Sequence, residues 1–262
     1  MADTTRNFDL KEEIRAFWSE RADTFDDSAS HKIEDKYGAP EWQAFLRKAM
    51  GLGRGESADG KTALDLACGT GEISRMLCEI GAEVTGLDFS DTMLALAKRK
   101  LAQHKWTAHP GDAEQLIGLD DQSFDFAVTR HLAWTLTNPE AAFAEWFRVL
   151  RPGGRLLIND GNWAKPLSFG YRVRRQLAQF IDPVPAQAYV DSAKHKKIFE
   201  RLPYSEGLTA KALIKSLQEA GFEPVTQLST RRLYDEGMRA HGIAARLRQS
   251  SENRFAVVVT RP

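Results

Sequence analysis

The stretch Ala63-Leu-Asp-Leu-Ala-Cys-Gly-Thr-Gly-Glu72 decides the fold. A short apolar run ends in an acid and a pair of glycines, then opens into a helix. Glu83-Val-Thr-Gly-Leu-Asp-Phe-Ser90 follows as a second short apolar run ending in an acid, Asp88. Two such runs with a helical segment between them read as neighbouring strands of a parallel sheet. The glycine turn sits at the tip of the first strand and a carboxylate at the tip of the second. That juxtaposition suits a ligand carrying a ribose.

The alternation extends outward from there. Ile73, Leu77 and Ile80 fall on one face of a helix stopped by Gly81. Ser90 caps the next helix, with Leu94, Ala97 and Leu101 inward. Strands are expected over Thr62–Leu66, Glu83–Leu87, Trp106–His109, Phe124–Thr129, Arg155–Asn159, Pro224–Leu228 and Arg254–Thr260. Asn138-Pro139 starts a helix, cap followed by first-turn proline. Arg151-Pro-Gly-Gly154 reads as a tight turn, and Thr209–Ala220 as a late helix. Seven strands, mostly parallel, with helices on both faces make a Rossmann-like α/β fold. Residues 1–60 precede it, with helical patterns around Leu10–Trp18 and after Pro40, and are expected to cover the cofactor and substrate. The core is expected over 61–160, a lid insertion over 161–205 and completion of the sheet over 206–262. The insertion carries eight Lys/Arg against three acids, interleaved with aromatics. It follows the C-terminal end of a strand, where open α/β sheets keep their ligand crevice.

Composition narrows the function. With 36 basic and 36 acidic residues the formal net charge is zero, so the basic excess of a nucleic-acid binder is missing. No apolar run reaches the roughly 18–20 residues of a membrane span, and the polar N-terminus MADTTRNFDLKEE is unlike a signal peptide. Cys68 and Cys78 lie about 15 Å apart if a helix joins them, too far for a disulfide. A reduced, cytoplasmic protein is the expectation.

The glycine turn selects among ribose ligands. Gly69 and Gly71 allow close backbone approach, but Ser74 stands where a dinucleotide fingerprint wants a third glycine. No Walker lysine follows, so a nucleoside triphosphate does not fit either. Asp65-Leu-Ala-Cys-Gly-Thr-Gly71 resembles motif I of the class I S-adenosylmethionine-dependent methyltransferases. Asp88 falls where that family grips the ribose hydroxyls, Asp112-Ala113 resembles its adenine-contacting motif, and Arg151-Pro-Gly-Gly154 resembles the turn before its fifth strand. The resemblance covers 61–160 well and 206–262 loosely.

It implies roles residue by residue. Asp88 accepts the two ribose hydroxyls as a charge-assisted pair. Asp65 orients the loop and the methionine amino group, Asp112 accepts from the adenine amino group, and the Ala113 N–H meets a ring nitrogen. Leu87, Phe89 and Met93 flank the adenine, with Ala67 and Arg130 completing the contacts. Trp18-Ser-Glu-Arg-Ala-Asp-Thr-Phe-Asp26 resembles the leading segment of the ubiquinone/menaquinone-biosynthesis branch. Phe25 replaces the tyrosine common there, and Tyr37 is the candidate substitute for its hydroxyl.

Acceptor chemistry is expected from residues at strand ends and in the insertion. His131 ends the fourth strand and is a candidate general base with a pKa suited to neutral pH. Asp160 and His195 are further candidates. Trp163, Tyr171 and Arg172 are candidate acceptor contacts, and the basic insertion suggests an anionic acceptor. The chain has no Asn-Pro-Pro-Tyr or Pro-Cys signature of DNA methylation and no metal-ligand spacing, so no metal is expected. The expectation is methyl transfer from S-adenosylmethionine to a small molecule by in-line displacement, leaving S-adenosylhomocysteine, in a monomer or homodimer. The alternative is a non-catalytic protein that binds either form of that cofactor.

Overall fold

A computed structural model describes residues 4–164, 169–183, 196–250 and 253–262. The strands are β1 (Thr62–Leu66), β2 (Glu83–Asp88), β3 (Trp106–Pro110), β4 (Phe124–Arg130), β5 (Leu150–Gly161), β6 (Val225–Leu228) and β7 (Arg254–Thr260). They form one sheet in the order β3-β2-β1-β4-β5-β7-β6. The first five run parallel, and β7 lies antiparallel between β5 and β6. The strand order reverses at β1, which places the glycine loop at the switch point where such sheets bind ligands.

Period-2 alternation divides the side chains between two layers. Leu64, Leu66, Ala127, Leu156, Ile158, Val257 and Val259 share one core with α5 (Pro139–Val149) and α7 (Ala210–Glu219). Ala63, Phe126, Val128, Leu157, Ala256 and Val258 share the other with α2 (Gly38–Met50) and α3 (Glu72–Glu79). Hence α2 is part of the sheet's own covering layer, and only the chain before it reaches over the crevice. There, α1 (Thr4–Glu20) places Leu10, Ile14 and Phe17 in a third cluster with Ile198 and Leu202 from the end of the insertion. The other helices are α4 (Asp91–Lys100), α6 (Phe169–Ile181), α8 (Arg231–Tyr234) and α9 (Ile243–Gln249).

Two local features differ from the sequence expectation. The Arg151–Gly154 turn lies inside β5, where the pairing with β4 shifts register between Phe124 and Phe126. Residues 229–249, for which the pattern carries no assignment, hold α8 and α9. Both helices are short, below the window over which helical periodicity is legible.

Candidate functional site

Three residues out of five at the tip of β1 have left-handed backbone: Ala67, Gly69 and Gly71 with φ of 56°, 55° and 85°. A side chain on Gly71 would lie 2.8 Å from Leu101 Cδ1, so both its angle and its packing require glycine. Ala67 has no such freedom and is strained. The other strained residue at the strand ends is His131, φ 64°, just past β4. Such strain concentrates at functional sites.

The carboxylates are held in place. Asp88 Oδ2 accepts from the Gly69 N–H and Oδ1 from the Ser90 N–H, each at 2.9 Å. Asp65 Oδ2 accepts from Ser74 Oγ at 2.7 Å, and Trp106 Nε1 donates to the same hydroxyl. The serine that stands in place of a third glycine therefore fixes the acid of the loop. Burial pushes the Asp65 and Asp88 carboxyls up to about 6 against the hydrogen bonds that lower them. Both acids thus retain unspent capacity for donors.

A cavity of about 540 Å³ opens beside them. It is lined by Asp65, Ala67, Gly69, Asp88, Phe89, Met93, Arg130, His131 and Trp163 among the expected residues, and by Arg175 from α6. A narrower arm passes Leu87 to Asp112 and Ala113. Size, buried carboxylates and a glycine loop free of obstructing Cβ positions fit a cofactor of the S-adenosylmethionine kind. The expected adenine acceptor has a protein partner as well. Lys11 Nζ of α1 meets Asp112 Oδ2 at 2.5 Å and Glu114 at 2.8 Å. The Ala113 carbonyl accepts from Trp146 Nε1.

The cover is tied to the loop by contacts no motif announces. Thr70 Oγ1 donates to Asp26 at 2.6 Å, and Lys100 Nζ bridges Asp26 and Glu72 at 2.8 and 2.6 Å. Glu72 also accepts from the Ile33 N–H at 2.8 Å. Burial favours neutral acids, yet Lys100 and the other partners outweigh it and lower both Asp26 and Glu72. Arg130 donates to the carbonyls of Ser30 and His31.

His31, which sequence reasoning missed, lines the cavity and stacks on Phe25 at 3.9 Å between centroids. Its Nδ1 lies 3.0 Å from the Phe25 carbonyl. Burial, and then Arg130, lower it to about 4. His131 is lowered well below its ordinary value by burial, Arg130 and Arg254. Burial and the neighbouring arginine thus work against the charged form of both rings, opposite to a base poised near neutrality. His131 Nε2 is buried with no partner among the described residues.

Other expected acceptor residues are placed elsewhere. Asp160 is fully buried and absent from the cavity lining. It accepts from Gly161 N, Trp134 N and Trp163 Nε1, so it holds the Trp163 ring and the Trp134 backbone beside the cavity, while the Trp134 ring donates to the His131 carbonyl. Burial raises it to about 7. Tyr37 lies outside the cavity, its ring under Lys36. Tyr171 faces a separate polar pocket, and Arg172 is exposed on α6 beside Phe169. His195 lies outside the described residues. Among the described residues no His/Cys/Asp/Glu group could hold a metal, and no helix is long and apolar enough to cross a membrane.

Comparison with known proteins agrees with this geometry. Residues 64–158 match the family model described as "Methyltransferase domain". A 2-phytyl-1,4-naphtoquinone methyltransferase of Thermosynechococcus vestitus is 31% identical over 189 residues, 68% of this chain and 79% of that protein. A malonyl-[acyl-carrier protein] O-methyltransferase of Serratia marcescens is 38% identical over 125 residues, 47% of this chain. The chain spans about half the length of that relative, 48%. Phosphoethanolamine N-methyltransferase 2 of Haemonchus contortus, solved with S-adenosyl-L-methionine, shares the fold at TM-score 0.63 and 17% identity, covering 93% of this chain and 57% of that one. Motif, cavity and relatives agree, and the chain belongs to the class I S-adenosylmethionine-dependent methyltransferases.

Proposed function

We propose that the chain methylates a small, planar, largely apolar acceptor that carries an anionic or strongly polar group at one end. One observation carries the acceptor half. Trp18, Phe25, Trp134 and Trp163 wall the same cavity as two uncharged imidazoles, with the Arg175 guanidinium beside them. Rings favour offset or edge contacts with rings, and a cation is the natural partner of a carboxylate or phosphate. The naphtoquinone in one relative's name is a planar ring, and the malonyl group in another's is a carboxylate.

Bound S-adenosylmethionine supplies an electrophilic methyl carbon on a positively charged sulfur. Asp88 and Asp65 would accept from its hydroxyl and amino groups, and the β1 loop would hold it. The aromatic walls exclude water, which favours a reaction that neutralises charge. Indole faces also suit a cation before transfer. His131 lines the cavity as an imidazole kept uncharged by burial and by Arg130. Asp160 acts at one remove, through the Trp163 ring.

Labelled methyl transfer to a panel of phenols, quinols and aliphatic acceptors, each with and without a carboxylate, tests the reading. Ring acceptors bearing the anion should turn over fastest. Transfer only to aliphatic cations would overturn the acceptor class, and cofactor binding without transfer to any acceptor would favour the non-catalytic alternative.

A further inference from the structure

In α6, Phe169, Val173, Leu177, Phe180 and Ile181 follow one another at spacings that put them in a single stripe about a third of the helix circumference wide. All five are exposed, Phe169 by 75% and Phe180 by 87%. The opposite side carries Ala178, the buried residue of the helix, and faces α9, whose Arg248 pairs with Asp182 at 3.1 Å. Arg172 borders the stripe on one side and Arg174 on the other, and residues 169–181 include no acid. Isolated exposed apolar side chains are ordinary, but a continuous stripe between cations marks an interaction surface.

The charge pattern selects the occupant. A two-fold dimer through this stripe would press Arg172 and Arg174 against their own copies, which like-charge repulsion disfavours. An anionic lipid surface supplies phosphate for the cations and acyl chain for the apolar stripe. We propose that α6 docks this chain onto an anionic membrane surface, with the five apolar side chains sunk into the interface and the flanking arginines on headgroups. Arg175 of the same helix lines the catalytic cavity, so docking brings the cavity to the lipid. Delivery of an apolar acceptor from the bilayer rests on the function proposed above. The docking itself does not.

Co-sedimentation with lipid vesicles tests it. The intact chain should bind mixed phosphatidylglycerol–phosphatidylcholine vesicles at least about tenfold more tightly than phosphatidylcholine alone, and added salt should weaken the binding. The double variant F169S/F180S should lose roughly tenfold or more in vesicle affinity, with its thermal unfolding and its calorimetric affinity for S-adenosylmethionine unchanged. No vesicle binding, equal binding to both compositions, or a dimer in sedimentation velocity that F169S/F180S dissociates would each overturn the proposal. Failure of the proposed function would show instead as absent methyl transfer to the acceptor panel, which is a separate signal.

Discussion

The glycine loop of β1 and the segment that closes over it meet at one network, yet they hold their acids in opposite ways. In the loop region, Asp65 and Asp88 are buried with hydrogen-bond donors and form no salt bridge among the described residues; Arg130 offsets only part of the burial of Asp65, and both are raised to about 6. In the tie to the cover, Asp26 and Glu72 share Lys100 and are lowered. One set is held ready for the donors of an incoming ligand. The other has its partner already, supplied by the protein. The difference separates a binding group from a structural one more clearly than residue type does, since all four are carboxylates at the same end of the sheet.

The largest expected effect lies in the tie. Glu72→Ala strands part of the Lys100 charge and the Ile33 N–H, and should cost about 3 kcal/mol of stability in urea unfolding. A loss below about 1 kcal/mol, the range of an exposed pair, would erase the distinction drawn here. Next comes the ligand side. Asp88→Ala should weaken S-adenosylmethionine binding by about 2 kcal/mol, roughly thirtyfold by calorimetry. Unchanged affinity in a folded variant would remove Asp88 from the cofactor site.

The two sets also respond to pH with opposite sign. A raised acid binds its proton more tightly when folded, so Asp65 and Asp88 stabilise the ligand-free protein most below about 4, the unfolded carboxylate value. That contribution is lost as pH rises through about 6. Lowered acids do the reverse: the Asp26 and Glu72 contributions are present above their unfolded values and vanish as pH falls through the folded ones. Gripping the ribose hydroxyls, the role proposed for Asp88, would require its ionised form. Cofactor affinity should fall about tenfold per pH unit below about 6, and a flat profile from pH 5 to 7 in calorimetry would place the titration elsewhere. The smallest effect belongs to the acceptor wall. Trp163→Ala should raise the acceptor KM about fivefold, near 1 kcal/mol, and leave S-adenosylmethionine affinity within about twofold.

Legibility followed the range of the interaction. The run from Ala63 to Ser90 was readable because strand alternation, a glycine turn and a serine cap are each decided within a few residues. The Ser90 cap on Met93 N and the Asn138 cap on Ala141 N stand where the pattern puts them, for the same reason. His31 was not readable. A lone histidine before an acidic, charged stretch becomes a cavity residue because Phe25 stacks on its ring and Arg130, 99 positions later, holds its carbonyl. Asp160 misled in the other direction. Its place after a strand suggests the crevice, but the Trp134 and Trp163 groups that claim its oxygens turn it inward.

Taken alone, the sequence determined the layered α/β fold and the class of cofactor, because alternation, capping and left-handed glycine positions are local properties of the chain. The tertiary structure alone decided which acids are paired, which histidines are stripped of charge and which aromatic rings face one cavity. Those depend on burial and on charges brought together across long separations, such as Lys11 with Asp112 and Asp26 with Lys100. Dielectric and proximity do not exist until the chain has folded, so no reading of residue order supplies them.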